Sequence, residues 1–347
     1  MSGEVARAHA PWDVVIVGAG PAGCAAGIGC AEAGLKVLIV EAARFPRALP
    51  GETLHPGVEP LLERLGVAGA VWGAGFLRHE GVWTHAPEGR VFTPYGSDGN
   101  GPWRGFQAWR ATFDELLLRR ARSLGAEVWQ PCRALRPLVA HGRVVGLETS
   151  MGPLNSRFVV DASGGGRWLV RKHGVSRHVG SPPLLARYGY VHGEFGEALE
   201  QPMLRLEPGG WEWMARVRPG HWAWARLSLD PSRRTSAQPP RALATGRELG
   251  PSRGAEVTWS WVGDCAGEGY FIAGDAAVVL DPASSQGVLR ALMQGMMVAH
   301  LITPCVLGTS DEPEAACAYR RWVKDLYHRS ASELRARYAS RASSGVE

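Results

Sequence analysis

An apolar run, Val14-Val15-Ile16-Val17, leads directly into Gly18-Ala19-Gly20-Pro21-Ala22-Gly23, and a second run, Val37-Leu38-Ile39-Val40, ends in Glu41. A buried strand, a glycine-rich turn, a helix and a strand with an acid at its tip form, in that order, a parallel βαβ unit that binds a dinucleotide. Gly18 makes the tight turn, Gly20 lets the backbone approach a pyrophosphate, and Gly23 lets the helix pack on the strand. Pro21 and Ala22 open the helix, whose free N–H groups and partial positive charge face the phosphates. Glu41 lies 18 residues beyond Gly23, in reach of ribose hydroxyls. A carboxylate there repels a 2′-phosphate, so the nucleotide is FAD or NAD rather than NADP.

A chain of 347 residues is long enough for one large or two intimate domains. Its net charge of +5 suits an anionic cofactor or an acidic partner. No dense Lys/Arg block points to nucleic acid. The six cysteines are scattered without a Cys-x-x-Cys pair, which argues against metal ligation and a disulfide framework and fits a reducing cytoplasm. Met1 to Pro11 lacks a charged region followed by an apolar run, so no signal peptide is expected. No stretch reads as the roughly 18 apolar residues of a membrane span.

Farther along, Thr112 to Leu124 has helical periodicity and Gly125 closes it. Trp211-Glu212-Trp213-Met214 and Trp222-Ala223-Trp224-Ala225 alternate with period two about Arg218-Pro219-Gly220-His221, which predicts a hairpin. Pro231 to Gly254 reads as a mobile surface loop with room for one short helix. A long helix is expected from Gly287 to about Ile302, and a helical tail without a broad apolar face after Pro313. Two more signals concern the cofactor. Val159-Val160-Asp161-Ala162-Ser163-Gly164 is a strand ending in small residues, where Asp161 either approaches the cofactor or shapes a turn. Ile272-Ala273-Gly274-Asp275, followed by Asp281-Pro282 and by Gly287 opening a helix, delivers a carboxylate to a strand tip, where open α/β sheets bind ligands.

These signals, in this order, resemble the FAD-binding motifs of glutathione-reductase-type flavoproteins of the flavin monooxygenase and tryptophan-halogenase-like branch. The resemblance implies an α/β fold: a Rossmann-like FAD-binding domain (1–75, 105–178 and 263–310), an interleaved, mainly antiparallel β-sheet substrate domain (76–104 and 179–262) and a C-terminal helical tail (311–347). It also implies that Gly18, Gly20, Gly23 and Glu41 hold the ADP half of FAD. Arg110 would reach the pyrophosphate or the flavin region, Gly274 and Asp275 would bind the ribityl–pyrophosphate segment, and Pro282 to Gly287 would pass the isoalloxazine. The segment Phe45-Pro46-Arg47 … Gly51-Glu52-Thr53-Leu54-His55-Pro56-Gly57 resembles the Gly-Glu-Ser/Thr loop of halogenase-like and geranylgeranyl-reductase-like proteins, which brings Arg47 and Thr53 to the cofactor. With Asn100-Gly101-Pro102-Trp103 and Gly105-Phe106-Gln107-Ala108-Trp109-Arg110, it is most similar to the LodB/GoxB group, which oxidises a tryptophan in the precursor of a quinone-cofactor amino-acid oxidase.

The implied activity is oxygen-dependent hydroxylation of an electron-rich aromatic through a flavin C4a-hydroperoxide, with NAD(P)H or a separate reductase as electron source. Glu52 and His55 are the candidate proton-handling residues; each has an alternative reading, Glu52 in shaping its loop and His55 in packing before Pro56. Trp211 and Trp213 either line a substrate pocket or form the buried face of a sheet. Two departures count against halogenation. The tryptophans lack the Ile-Pro that follows them in halogenases, and none of the three lysines, Lys36, Lys172 and Lys324, stands where the halogenase lysine would. Hydroxylation of a free aromatic metabolite, or reduction of an apolar alkene of the geranylgeranyl-reductase kind, remain the alternatives.

Overall fold

The computed structural model describes residues 12–47, 52–86, 89–196, 201–207, 209–230 and 234–343. Five parallel strands form the centre of the first sheet, in the order Glu127–Trp129, Val37–Val40, Trp12–Val17, Gly152–Asp161 and Tyr270–Ile272. Val14, Val15, Ile16, Leu38, Ile39, Val159 and Val160 are fully buried. Their continuous apolar runs, without alternation, mark a sheet covered on both faces. The start of Gly152–Asp161 bends away to pair antiparallel with Arg143–Thr149, which pairs in turn with Ala134–Ala140.

Helix Pro21–Glu32 packs against helix Gly287–Leu307. Small residues set the spacing: a Cβ on Gly295 would lie 2.2 Å from the Ala22 carbonyl oxygen. Of the described helices, only Gly287–Leu307 is long and apolar enough to cross a membrane, and 56% of that stretch is buried inside the protein.

A second sheet runs Arg247–Glu248, Leu185–His192, His221–Ser228, Gly210–Arg218, Met203–Glu207, Gly81–Ala86 and Gly89–Pro94. The expected hairpin is present, with Trp213 opposite Ala225 and Gly220 in the turn at φ +66°. Alternation divides the tryptophans between two faces. Trp211 packs toward the first sheet's core, whereas Trp222 and Trp224 share a separate cluster with Val191, Met203, Met214 and Leu243. The stretch read as a surface loop is more ordered than expected over its described part. Leu243 is fully buried, and Arg253–Glu256 adds to the edge of Leu185–His192.

The tail, helix Glu312–Ser343, also differs from expectation. Ala315, Ala316, Tyr319, Val323, Tyr327, Ala331 and Leu334 form a buried stripe at helical spacing. The stripe is built of alanines and tyrosines, which carry little weight in a search for aliphatic periodicity. Tyr319 donates to the Ile272 carbonyl at 2.9 Å and Tyr338 to the Asp281 carboxylate at 2.6 Å, so the helix braces the last strand and the loop beyond it.

Candidate functional site

The strand ends carrying the sequence signals lie level. Val17 is in register with Val40 and with Asp161, and Asp161 with Ile272. The chain therefore leaves the sheet at Gly18, Glu41, Ala162 and Ala273 along one edge. Over that edge lies a crevice of about 550 Å³, within the usual range for cofactor sites. Gly18, Gly20, Pro21 and Ala22 line it beside Glu41 and Arg47, with Arg110 also on its wall. Gly274, Asp275, Gly287 and Val288 line it from the last strand and the long helix, and Gly164 to Gly166 complete it.

The backbone explains the glycines. Gly18 has φ +103°, and a Cβ there would lie 2.5 Å from the Ala162 carbonyl oxygen. A Cβ on Gly23 would lie 1.9 Å from the Gly18 carbonyl oxygen, so Gly23 acts by packing and does not line the crevice. Helix Pro21–Glu32 begins at Gly20 with no side-chain cap and no acid in its first turn. Helix Gly287–Leu307 likewise begins without a side-chain cap or an acid. Both ends leave N–H groups available to an anion.

Glu41 is 5% exposed. It accepts from the backbone N–H of Ala19 at 2.8 Å and of Ala43 at 2.9 Å, which fixes its carboxylate at the strand tip. Arg47 reaches Glu41 at 3.1 Å and Asp114 at 3.4 Å. Arg110 grips Asp114 through two bonds of 2.8 and 3.1 Å. Two guanidinium groups thus share one buried carboxylate, and with Glu41 also on Arg47 the cations are held in place beside the glycine turn. Asp114 sits in the sequence motif around Arg110, but its anchoring role depends on packing across 67 residues to Arg47.

Asp275 is open to the crevice and enclosed by protein on its other sides. That enclosure raises its pKa, against the opposing pull of Arg290, Arg110 and Arg167. Asp161 is fully buried and accepts from the N–H of Ser163 at 2.9 Å and of Leu169 at 2.7 Å, the turn-shaping role. Gly274 N–H donates to Gln294 at 3.1 Å, a tie to the long helix that the sequence did not signal.

Several candidates lie outside the crevice lining. Thr53 is buried, donating to Gln107 at 3.1 Å and accepting from the Trp213 indole at 3.1 Å. Pro282 opens a single turn capped by Asp281. His55 caps another turn, its Nδ1 accepting from Gly57 N–H at 3.0 Å, and it is exposed. Glu52 pairs with Ala108 through its backbone; its side chain lies outside the described residues. Trp211 is 2% exposed within the core, and Trp213 is half-buried. Tyr188, which the sequence did not single out, lines the crevice from the second sheet. It shares a sheet face with Ala225 and Trp213.

Near His55, His79 is 3% exposed, and burial lowers its pKa from 6.5 to about 4. The folded protein therefore holds it neutral while the unfolded chain takes up a proton below about pH 6.5. Stability should fall by about 3 kcal/mol as pH drops from 6.5 to 4, with no further loss from this group below that. Denaturation titrations of the protein and of His79→Gln across this range should show a shallower slope in the variant.

The crevice residues fit FAD. Arg47 Nε and Arg167 Nη2 are buried without a hydrogen-bond partner among the described residues, donors suited to an anion nearby. With two uncapped helix ends and the glycine cradle, they match a pyrophosphate, and Glu41 matches a ribose. The family model for FAD dependent oxidoreductases matches residues 13–184. That match covers just under half of the chain and, with the crevice, marks an FAD-dependent oxidoreductase.

A tryptophan 2-halogenase from Chondromyces crocatus is 27% identical, with 89% of this oxidoreductase matching 64% of that protein's length. A menaquinone reductase from Mycobacterium tuberculosis is 28% identical over 93% of this chain and 82% of its own. The flavin-dependent brominase Bmp2 superposes with a TM-score of 0.82 at 25% identity, over 94% of this chain and 87% of its own. The carboxylate at the second strand's tip gives a direct expectation for the oxidoreductase. Glu41→Ala should weaken FAD binding by about 10- to 100-fold, the scale of a hydrogen bond to a charged group, measured by flavin fluorescence titration.

Proposed function

We propose that this oxidoreductase is an FAD-dependent monooxygenase that hydroxylates an electron-rich aromatic ring, a tryptophan side chain of a partner polypeptide that becomes a quinone-cofactor oxidase. The observation that carries this reading is the aromatic sheet face beside the crevice. Tyr188 lines the cofactor space, and Trp213, on the same face, is tied through Thr53 to the loop resembling the Gly-Glu-Ser/Thr segment. The choice of a peptidyl substrate rests on the resemblance of Gly51–Gly57 and Gly105–Arg110 to the LodB/GoxB proteins.

When bound and reduced, the flavin supplies the redox chemistry that activates oxygen. This chain's residues bind and position. The Gly18–Ala22 turn, Arg47 and Arg110 would hold the pyrophosphate, and Glu41 would take the ribose hydroxyls. The uncapped N-terminus of helix Gly287–Leu307, on the crevice wall, would favour negative charge on a reduced flavin. The sheet face holds the substrate ring flat and excludes water. An indole carbon is nucleophilic without a strong base, which agrees with His55 being engaged in a turn cap where partial burial lowers its pKa. Electrons come from NAD(P)H or a separate reductase.

No lysine lines the crevice. Lys36 instead lies 4.6 Å over the Trp12 ring. This supports hydroxylation over the halogenation named for the Chondromyces relative. The menaquinone reductase relative favours a second reading, a flavin reductase, for which an apolar alkene is the candidate substrate. The test incubates FAD-loaded protein with NADPH, oxygen, chloride or bromide, and either a tryptophan-containing partner polypeptide or free aromatics. Gain of one oxygen mass on the polypeptide is the expected result. Modification of free aromatics alone would rule out the peptidyl substrate, and halogen incorporation would rule out hydroxylation. Turnover of an alkene without oxygen would establish the reductase reading.

A further inference from the structure

The outer face of the second sheet carries a line of charge that the FAD crevice does not use. Across the strands, Arg187 stands opposite Arg226, Arg226 opposite Glu212, Glu212 opposite Arg205, Arg205 opposite His85 and His85 opposite Arg90. Residues paired this way share a face and lie close enough to interact, and like charges in such positions repel. Glu212 is the row's single carboxylate. It is buried and salt-bridged to Arg226. Arg90 stacks 3.9 Å over the Trp83 ring. Tyr188, the next residue after Arg187, points to the other face and lines the crevice, so this row and the cofactor site lie on opposite sides of the sheet.

An apolar row runs beside the charged one: Trp224, Met214, Met203, Trp83 and Phe92. Phe195 and Ala242 pack over it from connecting segments. Where the two rows meet, a hollow of about 460 Å³ is lined by His85, Arg205, Met203, Phe195, Ala242 and Thr245. His85 Nε2 and Arg205 Nε are buried without a hydrogen-bond partner among the described residues. Such groups cost free energy until they find a hydrogen-bond partner. Burial, and then Arg90 and Arg205, lower the His85 pKa. Glu194 stands on the same wall and disfavours a second negative charge.

We propose that this hollow binds a small monocarboxylate with an apolar body. Arg205 and His85 hold the carboxylate, and Phe195, Met203 and Ala242 enclose the apolar part. The repulsion from Glu194 selects such an acid over inorganic phosphate.

Benzoate is the probe, titrated by calorimetry into the FAD-loaded full chain, with inorganic phosphate in parallel. Saturable one-to-one binding of benzoate is expected, with phosphate at least tenfold weaker. Arg205→Gln should weaken benzoate at least tenfold. Ala242→Leu, which fills the hollow from the apolar side without altering a charge, should do the same. Both variants should retain the flavin spectrum of the parent, which reports an intact fold and cofactor site. Absence of saturable benzoate binding, phosphate binding as tightly, or unchanged affinity in both flavin-loaded variants would overturn the proposal. Benzoate binding that survives both substitutions but is lost in Tyr188→Ala would assign it to the crevice instead.

Discussion

Gly23→Val should abolish FAD retention and destabilise the protein by about 3 kcal/mol or more, the upper part of the overpacking range. The new Cβ alone would lie 1.9 Å from the Gly18 carbonyl oxygen and 3.2 Å from the Ala162 Cβ. Backbone, not a flexible side-chain end, must move. Any shift there opens the turn that presents Gly18 and Gly20 to the pyrophosphate. Denaturant titration and the visible spectrum of the purified variant measure the two effects. Parental stability with bound flavin would mean that the helix does not seat on the strand as described.

Asp114→Ala should cost about 3–5 kcal/mol, the usual penalty for removing one partner from a buried ion pair. The Asp114 side chain is wholly inaccessible, and it holds Arg110 at 2.8 Å and Arg47 at 3.4 Å. Without it, Arg47 and Arg110 lose the buried carboxylate they share, while Arg47 keeps its bond to Glu41. Excess FAD should return part of the lost stability, because its phosphates neutralise the same cations and a ligand that binds only the folded form stabilises it. Thermal or denaturant unfolding with and without FAD separates the two contributions. Wild-type stability in the flavin-free variant would contradict the shared anchor.

Local sequence made one half of the site legible. The Gly18–Gly23 turn, Glu41 and Gly274–Asp275 act through backbone geometry at strand ends, and the registers of Val17, Val40, Asp161 and Ile272 carry them to one edge. Long-range packing concealed the other half. Asp114 gains its meaning from Arg47, 67 residues away in the chain, and Thr53 turns from the cofactor space because Gln107 and Trp213 engage its hydroxyl. Alternation put Trp211 with Trp213 on one side of their strand and Trp222 with Trp224 on one side of theirs; the pairing register sends the two pairs to opposite faces. Alternation could not say which face meets the first sheet's core, since that depends on what covers each side. The terminal helix was legible as a helix but not as a core element, because its inward stripe of alanines and tyrosines has no aliphatic signature.

The crevice as an FAD site is tested most directly by titrating flavin-stripped protein with FAD and following bound flavin by visible absorbance, beside Gly20→Val. Gly20 has an ordinary φ of −76°, and a Cβ there would meet only the Arg47 guanidinium, at 3.3 Å, so the variant should fold. The account predicts one FAD per wild-type chain and none retained by folded Gly20→Val. Wild-type protein that never holds flavin, or a variant that holds it as tightly, would contradict it.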